Sequence, residues 1–312
     1  MLYISTRSKT DSFTSNRTLY EHTAPDGGMF VPLRLPQFSQ DEISSLRNRS
    51  FGENIAAVLN LFFSNRLTGW DIDCCIGRNP VRLKKMGHRI IIAETWHNLG
   101  SHYSYTEESL YHRIVLDNQA TPTPWFRIAL RIAIIFGVCG QLLADGEISV
   151  DFALPSGDFM FAMAAWYARK MGLPIGKIIC ACNENDYVWD LVNRGELNTS
   201  YISKTEDSCK EYPVFLEQLI FELFGRDECG QFLEKCMSRC SYRISDELQT
   251  VLRESIAAAV VWKSRVESII ASFYSTNAYT LNADAAHAFG AVQDIRACGG
   301  ENRIALIFGD YI

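Results

Sequence analysis

The chain has 312 residues, 47% hydrophobic and 21% charged, a composition that excludes a disordered, collagen-like or membrane-embedded protein and suffices to bury a core. Lys and Arg number 30 against 36 Asp and Glu, a formal charge of -6, and no basic run is present, which argues against nucleic acid as a partner. Length alone leaves one large domain or two smaller ones open.

Residues 2–6 read as a short strand, and Ala24-Pro25-Asp26-Gly27-Gly28 supplies turn chemistry before Met29-Phe30-Val31-Pro32. Ser39 can cap a short helix, and Ile55, Val58, Leu59 and Phe62 place an apolar stripe on a second one. Residues 69–118 are less regular, apart from the buried-strand signal Arg89-Ile90-Ile91-Ile92-Ala93, so the irregular, site-bearing part of the protein is expected there. The apolar stretch 125–144 carries Arg127 and Arg131, and its uninterrupted part, 132–140, is too short to span a bilayer. It reads as a buried helix, and no membrane partner is expected.

The middle third is the clearest. Residues 148–154 form a strand, 155–158 a tight loop, 159–171 a helix stopped by Gly172, and 175–182 a second strand. Such a crossover unit predicts an α/β fold with a parallel-rich sheet flanked by helices, and it places the loop at the carboxyl end of the first strand, where open α/β sheets bind ligands. Beyond Asn183 the chain reads as mainly helical, over 213–224, 228–240, a long run 246–274, and 284–297, followed by a strand at 304–308.

The ten cysteines are scattered, and the opening Met1-Leu2-Tyr3-Ile4-Ser5 lacks the basic and apolar regions of a signal peptide, so reduced thiols and a cytoplasmic location are expected. Cys74 with Cys75, Cys180 with Cys182, and Cys229 with Cys236 and Cys240 lack the paired spacing that closes a zinc site, so no metal is expected.

Several blocks together resemble threonine synthase, a pyridoxal-phosphate (PLP) enzyme of the tryptophan-synthase-β-like, fold type II superfamily. They are Tyr3-Ile4-Ser5-Thr6-Arg7, the run from Ala24 to Pro32, Leu35-Pro36, Trp125-Phe126-Arg127-Ile128, Leu154-Pro155-Ser156-Gly157-Asp158-Phe159 continuing to Ala181-Cys182-Asn183-Glu184-Asn185-Asp186, and Ala278-Tyr279-Thr280-Leu281-Asn282. The resemblance implies an N-terminal domain over 1–68 and a reduced large domain over 69–312. The small domain that covers PLP in the family is largely deleted between His112 and Trp125, a loss on the order of a hundred residues, about one small domain.

The departures from the family pattern concern the cofactor. Counted from His97, the position of the family's Schiff-base lysine holds Ser104, and no lysine occurs between Lys85 and Lys170. A hydroxyl cannot form the internal aldimine. In the loop that faces the cofactor phosphate, Asp158 replaces an asparagine and Met160 a glycine, adding a repelling carboxylate and a side chain where glycine allows close approach. The family's late Asp-Pro-His-Thr-Ala reads Asn282-Ala283-Asp284-Ala285-Ala286. These differences imply that PLP is lost and that no cofactor is bound.

His97 and His102 lie near Glu94, Tyr103 and Ser104, the residue types of a general base with orienting partners. The expected catalytic residues are His97, His102 and Asp158, with Tyr103, Ser104, Ser156, Gly157, Asn183 and Asn185 binding substrate. Each also has a plainer reading: Asp158 as a helix cap, the histidines as satisfied structural residues, Asn183 to Asp186 as a polar loop. Two functions stay open. One is a cofactor-independent enzyme acting on a small polar, amino-acid-like metabolite. The other is a pseudoenzyme that binds or regulates a partner such as a PLP enzyme, with a homo-oligomer or protein partner covering surface exposed by the deletion.

Overall fold

The computed structural model describes residues 1–8, 11–77, 81–87, 89–94, 103–117, 119–146, 149–155, 159–184, 186–197, 214–238, 241–299 and 304–308. The N-terminal part is a three-stranded antiparallel sheet in which β1 (Leu2–Ser5) lies between β2 (Ser12–Thr14) and β3 (Phe30–Pro32), with α1 (Ser15–Tyr20) after β2. Three helices follow, each opened by a reciprocal capping box: Ser39 with Glu42 on α2 (Gln40–Ser45), Ser50 with Glu53 on α3 (Phe51–Phe63), and Thr68 with Asp71 on α4 (Gly69–Ile76).

The main sheet has six strands. β4 (Arg82–Met86) is its antiparallel edge, followed by β5 (Ile90–Glu94), helix α5 (Tyr103–Val115), helix α6 (Pro124–Ala144), β6 (Val150–Pro155), α7 (Phe159–Lys170) and β7 (Ile175–Cys182). After β7 come α8 (Tyr187–Arg194), a two-residue strand β8 (Glu196–Leu197), α9 (Val214–Phe224), α10 (Arg226–Met237) and β9 (Tyr242–Arg243), which pairs with β8. The chain closes with α11 (Asp246–Ser255), β10 (Ile256–Val260), α12 (Lys263–Asn277), α13 (Ala283–Ala297) and β11 (Ile304–Phe308). Strand order is β10-β7-β6-β11-β5-β4, and every pairing except β4 with β5 is parallel. The sheet is thus mixed but mostly parallel, as the crossover unit predicts.

Alternation along the strands divides the core into two layers. Ile91, Phe152, Ile178 and Leu306 pack with α3, α6 and α7, whereas Ile90, Ile92, Ile179 and Ile307 pack with α12 and α13. Helix α6 is long and apolar enough to cross a membrane, yet 83% of its most apolar window is buried inside the fold. Its closeness to α3 depends on Gly137, where an added Cβ would stand 2.6 Å from the Phe51 ring.

Two expectations need correction. The run 246–274 is not one helix: Ile256-Ala257-Ala258-Ala259-Val260 forms a strand that pairs in register with Ile178 to Cys182, because a free parallel edge at β7 outweighs the helix preference of three alanines. The stretch 69–118 is also more regular than its sequence suggests, since it contains α4, β4, β5 and all of α5.

Candidate functional site

The parallel strands β5, β11, β6 and β7 lie side by side, so the segments that follow β5, β6 and β7 leave the sheet at one carboxyl edge. The expected site residues belong to those segments. His97, His102, Ser156, Gly157, Asp158 and Asn185 lie outside the described residues. Tyr103 and Ser104 begin α5, and Asn183 is exposed immediately after β7. Topology therefore brings the segments together at one edge.

Three side chains sit at this edge: Glu94, expected only as an orienting partner of the histidines, and Tyr279 and His287, to which the sequence reading gave no site role. Glu94, the last residue of β5, is only 4% exposed. The half-buried Tyr279 hydroxyl donates to Glu94 Oε1 at 2.7 Å, tying the end of β5 to the connection between α12 and α13. Burial, reinforced by the Glu94 carboxylate, holds the Tyr279 phenol above its usual range. It stays protonated at neutral pH and acts as a donor.

His287 is buried on α13, with Nε2 3.2 Å from the Cys182 carbonyl and 3.1 Å from that of Val261. Two carbonyl acceptors require the hydrogen on Nε2, so this nitrogen pins α13 to the ends of β7 and β10 and is not a free base. Helix α13 is capped by Asn282, whose Oδ1 accepts from Ala285 N at 2.8 Å. Tyr279 belonged to a recognisable block of sequence, but nothing in the sequence indicated that Glu94 would be its partner.

A buried cluster braces two helices that start at this edge. Glu107 of α5 accepts from Arg131 Nη1 at 3.2 Å and pairs with Arg127 Nε at 2.9 Å, and the Arg131 guanidinium lies 5.2 Å from the centre of the Phe161 ring in the first turn of α7. Met160, which stands where the family resemblance places a glycine, is buried in that same turn.

Elsewhere, a cavity of 790 Å³ opens between Thr6, Arg7 and one face of α10 and is lined by none of the expected site residues. Among the described residues, no group of three His, Cys, Asp or Glu side chains could hold a metal ion. Burial pushes the Cys139 and Cys229 thiols up to about 12, so both are unreactive at neutral pH.

Comparison with known proteins agrees with the geometry. Residues 2–79 match the family model for the threonine synthase N terminus. Threonine synthase of Methylobacillus glycogenes is 36% identical over 109 residues, 33% of this chain and 23% of that protein. The Pseudomonas aeruginosa enzyme is 27% identical over 176 residues, 55% of this chain and 37% of that protein. The matched segments thus span well under half the length of these curated relatives. In structure, the PLP-bound threonine synthase of Brucella melitensis superposes with a TM-score of 0.80 at 19% identity, covering 99% of this chain and 88% of that one.

These matches correct one expectation. The reading that no cofactor is bound does not stand: the scaffold is that of a PLP-bound threonine synthase, and no finding indicates that PLP binding has been lost.

Proposed function

With the chain placed among threonine synthase-like proteins of the fold type II PLP superfamily, we propose that it binds a small polar, amino-acid-like metabolite in the cytoplasm, at the carboxyl edge of its sheet, and does not run a reaction anchored on a Schiff-base lysine in α5. The observation that carries this reading is Ser104 at the start of α5, in a chain with no lysine between Lys85 and Lys170.

PLP fits this edge in fold but not through that linkage. When bound, PLP supplies an electron sink for carbanion chemistry. The part of this chain that would meet its phosphate is the segment 156–158 with the start of α7.

The chain's own groups favour an amino-acid-like ligand. Tyr279 holds its proton and His287 spends Nε2–H on backbone carbonyls, so the carboxylates at this edge, Glu94 at the end of β5 and Glu184 after β7, are the described groups suited to an ammonium, and Glu94 is the one the test addresses. The test is binding of an amino-acid and phosphoamino-acid panel, read by native mass spectrometry and thermal shift. A ligand bound by the parent protein and lost in Glu94→Gln supports the proposal. Equal binding by both proteins contradicts it.

A second reading, a non-catalytic partner-binding protein, is favoured by Leu116. This residue is 84% exposed and holds a left-handed φ of 58° just after α5, where the family resemblance puts the deleted domain. Light scattering after size exclusion tests it: self-association that Leu116→Asp abolishes supports it, and a monomer for both proteins counts against it.

A further inference from the structure

Where α7, α9 and the N-terminal sheet meet, three polar side chains form a chain of hydrogen bonds remote from the carboxyl edge. Tyr167 of α7 and Gln218 of α9 are fully buried. The Tyr167 hydroxyl donates to Glu222 Oε1 at 2.8 Å, and Gln218 Nε2 donates to the Tyr167 oxygen at 3.0 Å. The same Nε2 reaches the Phe30 carbonyl of β3 at 3.5 Å, while Gln218 Oε1 is buried with no hydrogen-bond partner. A buried acceptor without a donor is unfavourable, so the arrangement is sensitive to which way the hydrogens run.

The direction of the chain depends on one proton. With Glu222 ionised, the carboxylate only accepts, so Tyr167 donates to it and must accept from the Gln218 amide nitrogen. That orientation turns Nε2 toward Phe30 and strands Oε1. With Glu222 protonated, its O–H can donate to the Tyr167 oxygen. The Tyr167 hydrogen then turns to Gln218, whose amide flips to offer Oε1 as acceptor. The flip gives Oε1 a donor, withdraws Nε2 from Phe30 and turns an oxygen toward that carbonyl instead, which loosens the hold on β3. The proton comes from and returns to solvent, and no covalent bond changes.

We propose that Glu222, Tyr167 and Gln218 form a proton-set clasp on the N-terminal sheet, closed on the Phe30 carbonyl when Glu222 is ionised and released when it is protonated. Burial pushes the Glu222 carboxyl up to about 7, against the opposing pulls of the Tyr167 bond and of Lys170, so the clasp works at neutral pH. From α7, Tyr167 and Lys170 face the carboxyl, and from α9 it is Gln218. No ionisable group of α10 or α11, which also pack on α9, acts on it among the described residues. The Tyr167 phenol is held far above its ordinary range by burial and by Glu222, so it relays without ionising.

Because the folded carboxyl binds its proton more tightly than the ordinary value of 4.5, its stabilisation is full below that value and lost as pH rises through about 7. Between pH 5 and 8 this predicts a fall of tens-fold in the folding equilibrium constant, following from about 2.5 units of difference. Urea midpoints across that range, for the full chain and for Glu222→Gln, read the linkage. Amide exchange of residues 28–33 at pH 5.5 and 8, each corrected to Glu222→Gln at the same pH, reads the clasp. The expected result is a falling midpoint for the parent, a flat one for Glu222→Gln, and exchange at 28–33 that is slower in the parent at pH 8 only. In Tyr167→Phe that difference at 28–33 disappears. Identical pH slopes for parent and Glu222→Gln, or equal exchange at both pH values, would overturn the proposal. Should Glu222→Gln fail to fold, infrared titration of the parent carboxyl decides: a midpoint near 7 supports the clasp, and one below about 5.5 removes it.

Discussion

Replacing Arg7 with methionine is the sharpest test of how the N-terminal part is held to the rest of the chain. Glu217 of α9 is wholly buried, and its carboxylate accepts from Thr6 Oγ1 at 2.5 Å, Arg7 Nε at 3.1 Å and Arg7 Nη2 at 2.9 Å, across some 210 residues of sequence. Methionine keeps the aliphatic bulk but takes both guanidinium donors away from the buried carboxylate. Breaking a buried ion pair from one side costs about 3–5 kcal/mol, and because the Arg7 side chain is 32% exposed the low end applies. For a chain of this size about 3 kcal/mol corresponds to a fall in Tm of roughly 5 °C. Urea unfolding and calorimetry measure it. The double substitution Arg7→Met with Glu217→Met removes the stranded charge and recovers part of the loss. A single-substitution cost below about 1 kcal/mol, or a double variant as unstable as the sum of the singles, would refute the reasoning.

Other substitutions probe the turn, the sheet and the edge. Gly28→Ala places a Cβ 2.2 Å from Ser5 Oγ, 2.9 Å from Thr6 Oγ1 and 3.0 Å from Arg7 Cγ, so urea unfolding should register a loss of about 2–3 kcal/mol, whereas Gly230→Ala on α10, with nothing within 4 Å, meets no such clash. Ala258→Asp buries a carboxylate in β10 opposite Cys180, and rapid cleavage near 256–260 in limited proteolysis is the expected result; resistance equal to the parent would place that segment outside the sheet. Tyr279→Phe removes the bond to Glu94 and should cost about 1–2 kcal/mol in urea unfolding, with the proposed ligand binding more weakly; unchanged stability and affinity would deny the pair its role.

The parts of this fold that could be read from sequence are those whose local chemistry and tertiary environment agree. Asp26 accepts from Gly28 N and the Ser5 hydroxyl, so the Pro-Asp-Gly-Gly turn is held by residues that also announce it. The unit from β6 to β7 declares itself because apolar strands, glycine stop and helix follow one another at the spacing a crossover needs. β10 was hidden, because Ala257-Ala258-Ala259 favours helix in isolation and becomes strand only through the edge that β7 presents. At the edge, the sequence points to the three segments but not to the contacts between distant residues. Glu94 and Tyr279 are 185 positions apart, and His287 meets strand ends 26 and 105 residues away. The inference of cofactor loss read too much from one missing lysine, two altered loop positions and the changed run 282–286, while the fold superposes on that of a PLP-bound threonine synthase.

The central claim, that this threonine synthase-like scaffold works without a Schiff-base lysine, is tested most directly by incubating the full chain with PLP, reducing with borohydride, and mapping peptides by mass spectrometry. The account predicts no reduced PLP adduct on any lysine, with whatever PLP binds coming away on denaturation. A stoichiometric adduct on one lysine, for example Lys263 at the start of α12 just beyond the carboxyl end of β10, would contradict it and return the protein to lysine-anchored chemistry.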